Sequence, residues 1–260
     1  MAAIRQGTIE LKIWLLHFRR YKVSVLLNDV IGPLVGGITA LLTGRFIGSV
    51  LYAGKYIPYA EFLAVGTAAT FIYLGILRIF EPTSNSWTKR IEILFADNLP
   101  VYFLTTEAWF IIFASVQLIF WVLPIVVATG IPIWDPIIAY AIANIAITPS
   151  MAALGFLLSA LGLRVRGRDA WAVRSLTVRL LELVMPASFG VSAYGPLAKY
   201  LIWVPTVAAM EGTRRIIFGV GGWELIAYAM GAGLLLAVAA YVLFRHMLWK
   251  ARVKGWILLE

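Results

Sequence analysis

Apolar residues follow one another along this chain in runs of about 20, and shorter polar segments separate the runs. A helix of about 20 residues crosses the roughly 30 Å hydrocarbon core of a membrane. Such spans are predicted at residues 23–43, 60–80, 108–129, 136–163, 176–194 and 223–244. The pattern therefore predicts an all-α integral membrane protein with six transmembrane helices, in which residues 1–260 form a single domain.

One charged segment, residues 86–100, lies between the second and third spans and reads SWTKRIEILFADNLP. As a helix it is amphipathic, with apolar side chains on one face and charged side chains around the rest of the wheel. The apolar face holds Trp87, Ile91, Leu94 and Phe95, and the charged positions include Lys89, Arg90 and Glu92. The segment is too short and too charged to cross a bilayer. We therefore expect residues 83–104 to contain a docking helix at the membrane surface.

Two further segments are predicted to lie along the membrane. The N-terminal arm, residues 1–22, is rich in apolar and aromatic side chains and clusters several basic ones, which is typical of an interfacial helix. Residues 195–222 are apolar on both sides of Pro205, with Glu211 and Arg214 in a charged group. This pattern favours a pair of short helices that dip into the outer leaflet, since re-entrant backbone is tolerated where protein surrounds it.

Composition agrees with a membrane protein and gives its orientation. The chain is 62% hydrophobic and only 13% charged, whereas a soluble domain carries about a quarter charged residues. Of the Lys and Arg residues, 17 fall on one side of the predicted topology and 5 on the other. The positive-inside rule therefore predicts that both termini lie in the cytoplasm. We expect the chain to span the plasma membrane of the cell. The net charge of +9 thus records topology, and no nucleic-acid partner is needed to explain it.

Catalytic and nucleotide-binding motifs are missing from the sequence. Cys is absent, and His17 and His246 stand apart, so neither a thiolate metal site nor a histidine metal pair is indicated. Gly54-Lys55 is followed by Tyr56 and lacks the glycine pattern of a phosphate-binding loop. We therefore expect a chain that is not an enzyme and binds no cofactor itself. If ATP drives it, another chain binds the ATP.

Ionisable residues inside predicted spans are candidates for a transport pathway. Glu182 could contact a substrate or relay a proton, or it could form an i,i+3 ion pair with Arg179, which we favour. Asp29 could line a pathway or cap the first span, and the cap is the favoured interpretation. Gln117 and Asn144 could line a pore, but interhelical hydrogen bonding is the favoured interpretation for both.

Proline and aromatic residues give a weaker indication of pathway or gating positions. Pro186, within PASFG, could act as a hinge or simply fix the shape of the fifth span. Phe71, Tyr73 and Phe189 could face a central pathway, although packing or lipid-facing positions are more common for such side chains.

The layout resembles the membrane permease subunits of ATP-binding-cassette transporters, of the type-2 exporter class. WTKRIEILFADNLPV is similar to that family's coupling helix, with an acidic residue in an apolar stretch followed by Leu and Pro-Val. FGVSAYGPLAKYLIWVPTVAAMEGTRR is similar to the re-entrant segment before its last span. The chain departs from the family at Arg90-Ile91, where Gly-Thr is common, and at Val204, where Asn is common.

The resemblance implies an exporter subunit that works with partners. A separate ATPase, in two copies and carrying the ATP and Mg, would dock on the helix around residues 87–99. A second permease chain, identical or related, would complete a pathway lined by spans one, two and five, in contact with membrane lipids. The alternative function is a secondary transporter that uses Asp29 or Glu182 for ion coupling. A membrane-embedded enzyme or assembly scaffold is a third possibility.

Overall fold

Four helices in the described part of the chain are long and apolar enough to cross a membrane. The computed structural model describes residue 20 and residues 22–71, 73–80, 99–163, 167–185 and 188–254. The four apolar helices are Leu26–Ile47, Tyr102–Thr129, Trp134–Gly162 and Trp223–Val253. They correspond to the first, third, fourth and sixth predicted spans. The chain is thus a predominantly helical protein of the multi-pass membrane type, as predicted.

The elements are named here in chain order. A turn of helix α1 (Lys22–Val25) continues through a π-helical segment (Leu26–Ile31) into α2 (Gly32–Ile47). A hairpin of β1 (Ser49–Tyr52) and β2 (Lys55–Pro58) leads to α3 (Tyr59–Thr70) and α4 (Tyr73–Phe80). There follow α5 (Leu99–Thr129), α6 (Trp134–Gly162), α7 (Gly167–Val184), a 3₁₀ helix (Val191–Leu197), α8 (Ala198–Leu201), α9 (Pro205–Ile217) and α10 (Trp223–Lys254).

The second and fifth predicted spans are not among the four long apolar helices. The second, predicted at residues 60–80, consists of α3 and α4 with a turn at Phe71 between them. The fifth, predicted at residues 176–194, corresponds to α7, which begins earlier and ends at Val184. Predicted span ends shift in this way because apolar composition reports burial and says little about where a helix starts or stops.

Helix α6 lies at the centre of the fold. It packs against α3, α4, α9 and α10, and Ala, Gly and Ser supply many of its buried positions. Such small side chains let neighbouring helices approach closely, which supplies van der Waals packing where lipid removes the usual hydrophobic driving force. At one end the rings of Phe80, Phe103, Phe156 and Phe244 stack or meet edge to face.

Helix α2 is packed along α5 through a glycine. A Cβ at Gly37 would overlap the carbonyl oxygen of Trp121, so only glycine permits this approach. The connection from α5 to α6 is a short turn in which Gly130 has φ +73°, a conformation that glycine adopts without strain.

A two-stranded antiparallel hairpin joins α2 to α3, and the all-α prediction missed it. Its two-residue turn, Ala53-Gly54, has φ values of +48° and +81°, and Tyr52 pairs with Lys55 across it. Positive φ at both central residues is the geometry of tight hairpin turns that match the twist of the strands.

Short helices also occupy most of residues 191–217, in the segment before the last span. Pro205 occupies the first turn of α9, where its missing N–H is not needed. The predicted docking helix of residues 86–100 lies outside the described residues except for its last two, which begin α5. The N-terminal arm lies outside them as well, apart from Arg20 and Lys22.

Candidate functional site

The charged residues of α9 form a buried cluster at its contact with the hairpin. We name it the Glu211 cluster, and it consists of Tyr52, Glu211, Arg214 and Arg215. Glu211 is 3% exposed and Arg214 is fully buried. Charged side chains are almost never buried to this extent unless they are paired. We therefore describe the partners of each member in turn.

The Glu211 carboxylate receives hydrogen bonds from three directions. The Tyr52 hydroxyl donates to Oε1 at 2.9 Å, and Arg215 Nε donates to the same oxygen at 3.2 Å. The backbone N–H of Val191 donates to Oε2 at a longer 3.4 Å. One carboxylate thus connects α9 to the hairpin and to the start of the 3₁₀ helix.

The Arg214 guanidinium is held by a carbonyl group and an aromatic ring. Its Nη1 donates to the Phe189 carbonyl oxygen at 2.7 Å, and its centre lies 4.5 Å from the centroid of the Phe62 ring. Burial lowers the pKa of Arg214 to about 10, and the neighbouring Glu211 carboxylate opposes that decrease. Arg214 therefore remains charged at neutral pH, and cation–π attraction to Phe62 partly replaces the lost hydration.

The hairpin contributes both aromatic packing and a cation. The Tyr52 ring meets the rings of Phe62 and Phe218 edge to face, while Lys55 Nζ donates to the Phe218 carbonyl oxygen at 3.1 Å. Burial, and then the adjacent Glu211 carboxylate, raise the pKa of Tyr52. The hydroxyl is therefore a fixed donor at physiological pH.

The cluster has the chemistry of a structural connection. One carboxylate faces two guanidinium groups, so the net charge of the cluster is positive. The Tyr52 hydroxyl and the Glu211 carboxylate that accepts its hydrogen bond are both buried. Among the described residues no group of three or more His, Cys, Asp or Glu side chains could hold a metal ion. The arrangement joins β1, the segment at Phe189 and α9, and it fixes them relative to α3.

The predicted pathway residue Asp29 is bonded to another helix. Gln117 Nε2 of α5 donates to Asp29 Oδ1 at 2.6 Å, so the favoured interpretation of Gln117 as an interhelical hydrogen-bonding residue is confirmed. Asp29 lies inside a helix that already begins at Lys22, so the favoured interpretation of Asp29 as a helix cap is wrong. It is half-buried.

The predicted ion pair of Glu182 is present. Arg179 Nη1 lies 3.1 Å from Glu182 Oε2 on the exposed side of α7, with an i,i+3 spacing. A carboxylate that is 41% exposed and paired does not require a transport function to explain it.

The aromatic candidates are dispersed. Phe71 is half-buried against the core, and Tyr73 is buried in the same core through α4. Phe189 is 40% exposed and meets Tyr194 edge to face. Pro186 lies outside the described residues.

All the predicted coupling residues lie outside the described part of the chain: Trp87, Lys89, Arg90, Ile91, Glu92, Leu94 and Phe95. Their interpretation depends on the sequence alone.

Two residues of interest were missed from the sequence. Tyr52 was not considered because nothing in the pattern joined the first connection to the fifth. Glu107 was placed just outside the third span, whereas it is a buried carboxylate inside a membrane-length helix. Its position at i−4 and i+4 from apolar residues, Phe103 and Ile111, could have identified it as facing inward.

Comparison of the chain with models of protein families, with curated proteins and with solved structures gives no match.

Proposed function

We propose that this chain is the transmembrane subunit of an ATP-driven exporter of the ATP-binding-cassette type 2 class, working as a pair of permease chains with two copies of a separate ATPase. The single observation that favours it most is an uncovered apolar stripe on α7. Membrane-length helices and the absence of a nucleotide-binding motif are in keeping with the same function.

The α7 stripe consists of Val173, Leu176, Leu180 and Leu183, at spacings of three, four and three residues. These side chains are 40–69% exposed. The spacing matches the narrow seam by which one helix packs against another. Helix α7 also carries Arg179 and Glu182, so it is poorly suited to face hydrocarbon on all sides. A second copy of the chain, or a related one, would bury the stripe.

The proposed topology has six crossings, with both termini in the cytoplasm. Helices α3 and α4 together cover residues 59–80, about 33 Å at 1.5 Å per residue, which is enough for one crossing. Helix α7 has 18 residues, at the short end of the range for a span. In this topology the hairpin and α9 lie on the extracytoplasmic side, where the Glu211 cluster braces the short helices.

The partner ATPase would bind on the cytoplasmic side of the membrane. The sequence contains no phosphate-binding loop, so hydrolysis of ATP, with Mg, would take place in the partner ATPase. Trp87, Ile91, Leu94 and Phe95 would fill a groove of that partner, as amphipathic docking helices do. Lys89, Arg90 and Glu92 would orient it through charges at the rim.

Docking is tested by co-expression with the ATP-binding-cassette ATPase encoded beside this chain, followed by purification in detergent. We expect Ile91→Asp to abolish recovery of the ATPase, because it puts a charge on the apolar face. Ala96→Asp is the matched control, since residue 96 lies on the opposite side of the predicted wheel. Recovery of the ATPase with Ile91→Asp and with Ile91→Asp plus Leu94→Asp would contradict the proposal.

The second permease chain is tested with single cysteines, which are unambiguous because the native sequence has none. We expect Leu180→Cys on the α7 stripe to form an intermolecular disulfide under mild oxidation in membranes. Leu234→Cys on α10 is the control, because that position is 59% exposed and lies on a different helix. Equal cross-linking at both positions would argue against a specific pair.

An ion-coupled transporter remains the second candidate, on the observation that Asp29 is a half-buried carboxylate within a candidate span. Three results together would favour this function over the exporter. A protonophore would abolish transport, ATP depletion would leave transport unchanged, and Asp29→Asn would remove it.

A further inference from the structure

Glu107 is a carboxylate deep inside the helical body. It is 7% exposed, and its Oε1 lies 2.9 Å from Thr148 Oγ1. Thr148 is the central residue of α6, so it is about 21 Å from either end of that helix at 1.5 Å per residue. Glu107 also lies within a candidate membrane span, where an ionisable residue is a candidate for function.

Among the side chains that the structure describes, no basic group pairs with Glu107. Its one hydrogen-bond partner among the described residues is Thr148, and neither of the ion pairs found there includes it. Burying an ionised carboxylate without a counter-charge is strongly unfavourable, so such a group takes up a proton or a cation instead.

The hydrogen-bond count around Thr148 favours a proton. Its single hydroxyl hydrogen faces three oxygen atoms: the Asn144 carbonyl at 2.8 Å, Glu107 Oε1 at 2.9 Å and Asn144 Oδ1 at 3.2 Å. One hydrogen cannot serve all three. If Glu107 carries a proton, it donates to Thr148 Oγ1, and Thr148 donates its own hydrogen to the Asn144 carbonyl. The Asn144 amide then satisfies the third contact by turning its NH₂ group toward the hydroxyl, since its two orientations differ little in shape.

A cleft between α5 and α6 adjoins this group. It has a volume of about 550 Å³, and its lining includes Glu107, Ser115, Tyr140, Asn144 and Thr148. Because a liquid water occupies about 30 Å³, the cleft has room for a chain of water molecules. Oxygen and nitrogen atoms on both helices could order that chain.

The other titratable groups nearby do not pair with Glu107. Tyr140 lines the same cleft, and its hydroxyl donates to the Ile111 carbonyl oxygen. The described segments that pack against α5 or face it across the cleft also carry Asp29, Arg45, Glu61, Tyr73 and Asp135. Within the described residues none of these bonds to Glu107 or lines the cleft.

We propose that Glu107, Thr148 and Asn144 form a proton-binding site within the membrane, in which Glu107 holds the proton and the cleft is the route by which it exchanges with water. The site is independent of the proposed export function, because the same chemistry applies whether ATP or an ion gradient drives the chain. Loss of the proton leaves a charge among oxygen atoms of α6, so proton release would weaken the contact between α5 and α6.

The proton is tested with dicyclohexylcarbodiimide, which enters membranes and reacts with protonated carboxyl groups. The full chain in lipid nanodiscs is treated at a series of pH values from 6 to 10, and peptide mapping by mass spectrometry locates the label. We expect Glu107 to be labelled, with at least about a tenfold decrease once the pH exceeds the titration midpoint by one unit. Glu182 and Glu224, which are exposed, are internal controls and should remain unlabelled.

Two variants and one salt comparison complete the test. Glu107→Gln mimics the neutral acid, so it should fold like the wild type and lose a carboxylic-acid band from the pH-difference infrared spectrum. Thr148→Val keeps the shape but should shift the pH dependence of labelling, because the hydroxyl acceptor is gone. Absence of both label and infrared band would overturn the proposal. Protection of Glu107 by sodium chloride but not by choline chloride, at fixed pH, would overturn it in favour of a metal cation.

Discussion

Replacing Glu211 by Gln tests whether the Glu211 cluster stabilises the fold through its charge. The substitution keeps the side-chain shape and one acceptor oxygen, so Tyr52 and Arg215 can still donate to it. The NH₂ group then faces the Val191 N–H, and the weak bond at 3.4 Å is lost. Above all, the buried Arg214 loses the carboxylate that compensates its charge.

The expected loss follows from these contacts. Glu211 acts on the fully buried Arg214 through electrostatic attraction. Leaving a buried charge without its compensating neighbour costs about 3–5 kcal/mol where the two groups form a direct pair. Arg214 keeps its bond to the Phe189 carbonyl and its contact with Phe62, which places the estimate toward the lower end. A loss of about 3 kcal/mol lowers the folding equilibrium constant by a factor of roughly 100.

The assay is reversible unfolding in mixed micelles, with the denaturing detergent raised stepwise and helix content followed by circular dichroism. Glu182→Gln is the matched control, because it makes the same chemical change in the exposed ion pair with Arg179. Exposed pairs contribute about 0–1 kcal/mol, so the control should be nearly neutral. Equal losses for the two variants would refute the reasoning, since burial would then not decide the cost.

Three further predictions concern neighbouring features. Tyr52→Phe removes a hydrogen bond to a charged group and should cost about 1.5–3 kcal/mol of unfolding free energy, less when Glu211→Gln is already present, as a double-mutant cycle would show. The folded-state pKa of Tyr52 is raised above its unfolded value of about 10. The contribution of its hydroxyl to the unfolding free energy is therefore complete below pH 10 and is lost as the pH rises toward the folded-state pKa. Tyr52→Phe should accordingly lose less stability than the wild type as the pH is raised. Gly37→Ala should destabilise the α2–α5 contact, because the added Cβ overlaps the Trp121 carbonyl, whereas Gly231→Ala in α10 meets nothing within 4 Å and should stabilise by up to about 1 kcal/mol. Thermal unfolding of the two glycine variants side by side would reveal opposite shifts.

Helices whose apolar stretch is long could be predicted from the sequence. Four predicted spans correspond to the long helices because twenty or more apolar residues leave the backbone few other ways to satisfy its hydrogen bonds in a membrane. The second and fifth spans were less well defined. The break at Phe71 has no proline or glycine to mark it, and α7 mixes charged with apolar residues.

The hairpin was missed because its pattern is short. SVLY and KYIP are each four residues long, and Ala-Gly is a weaker turn signal than Asn-Gly or Asp-Gly. Strands of that length cannot be distinguished from the end of an apolar helix by periodicity. What reveals the hairpin is long-range: Tyr52 bonds to Glu211, which lies 159 residues further along the chain.

The same limitation explains which charged residues could be interpreted correctly. The Arg179–Glu182 pair lies within one turn of a helix, so sequence spacing alone predicts it. Glu211 and Arg214 were recognised as a charged group in an apolar segment, but their partners come from the hairpin and from Phe189, and no local rule connects these. Glu107 differs from both, because its partner Thr148 is a neutral residue on another helix. Spacing rules and charge counts identify a charged partner, so they do not identify a buried carboxylate whose partner is neutral. The protonation state of Glu107 is therefore what most needs direct measurement.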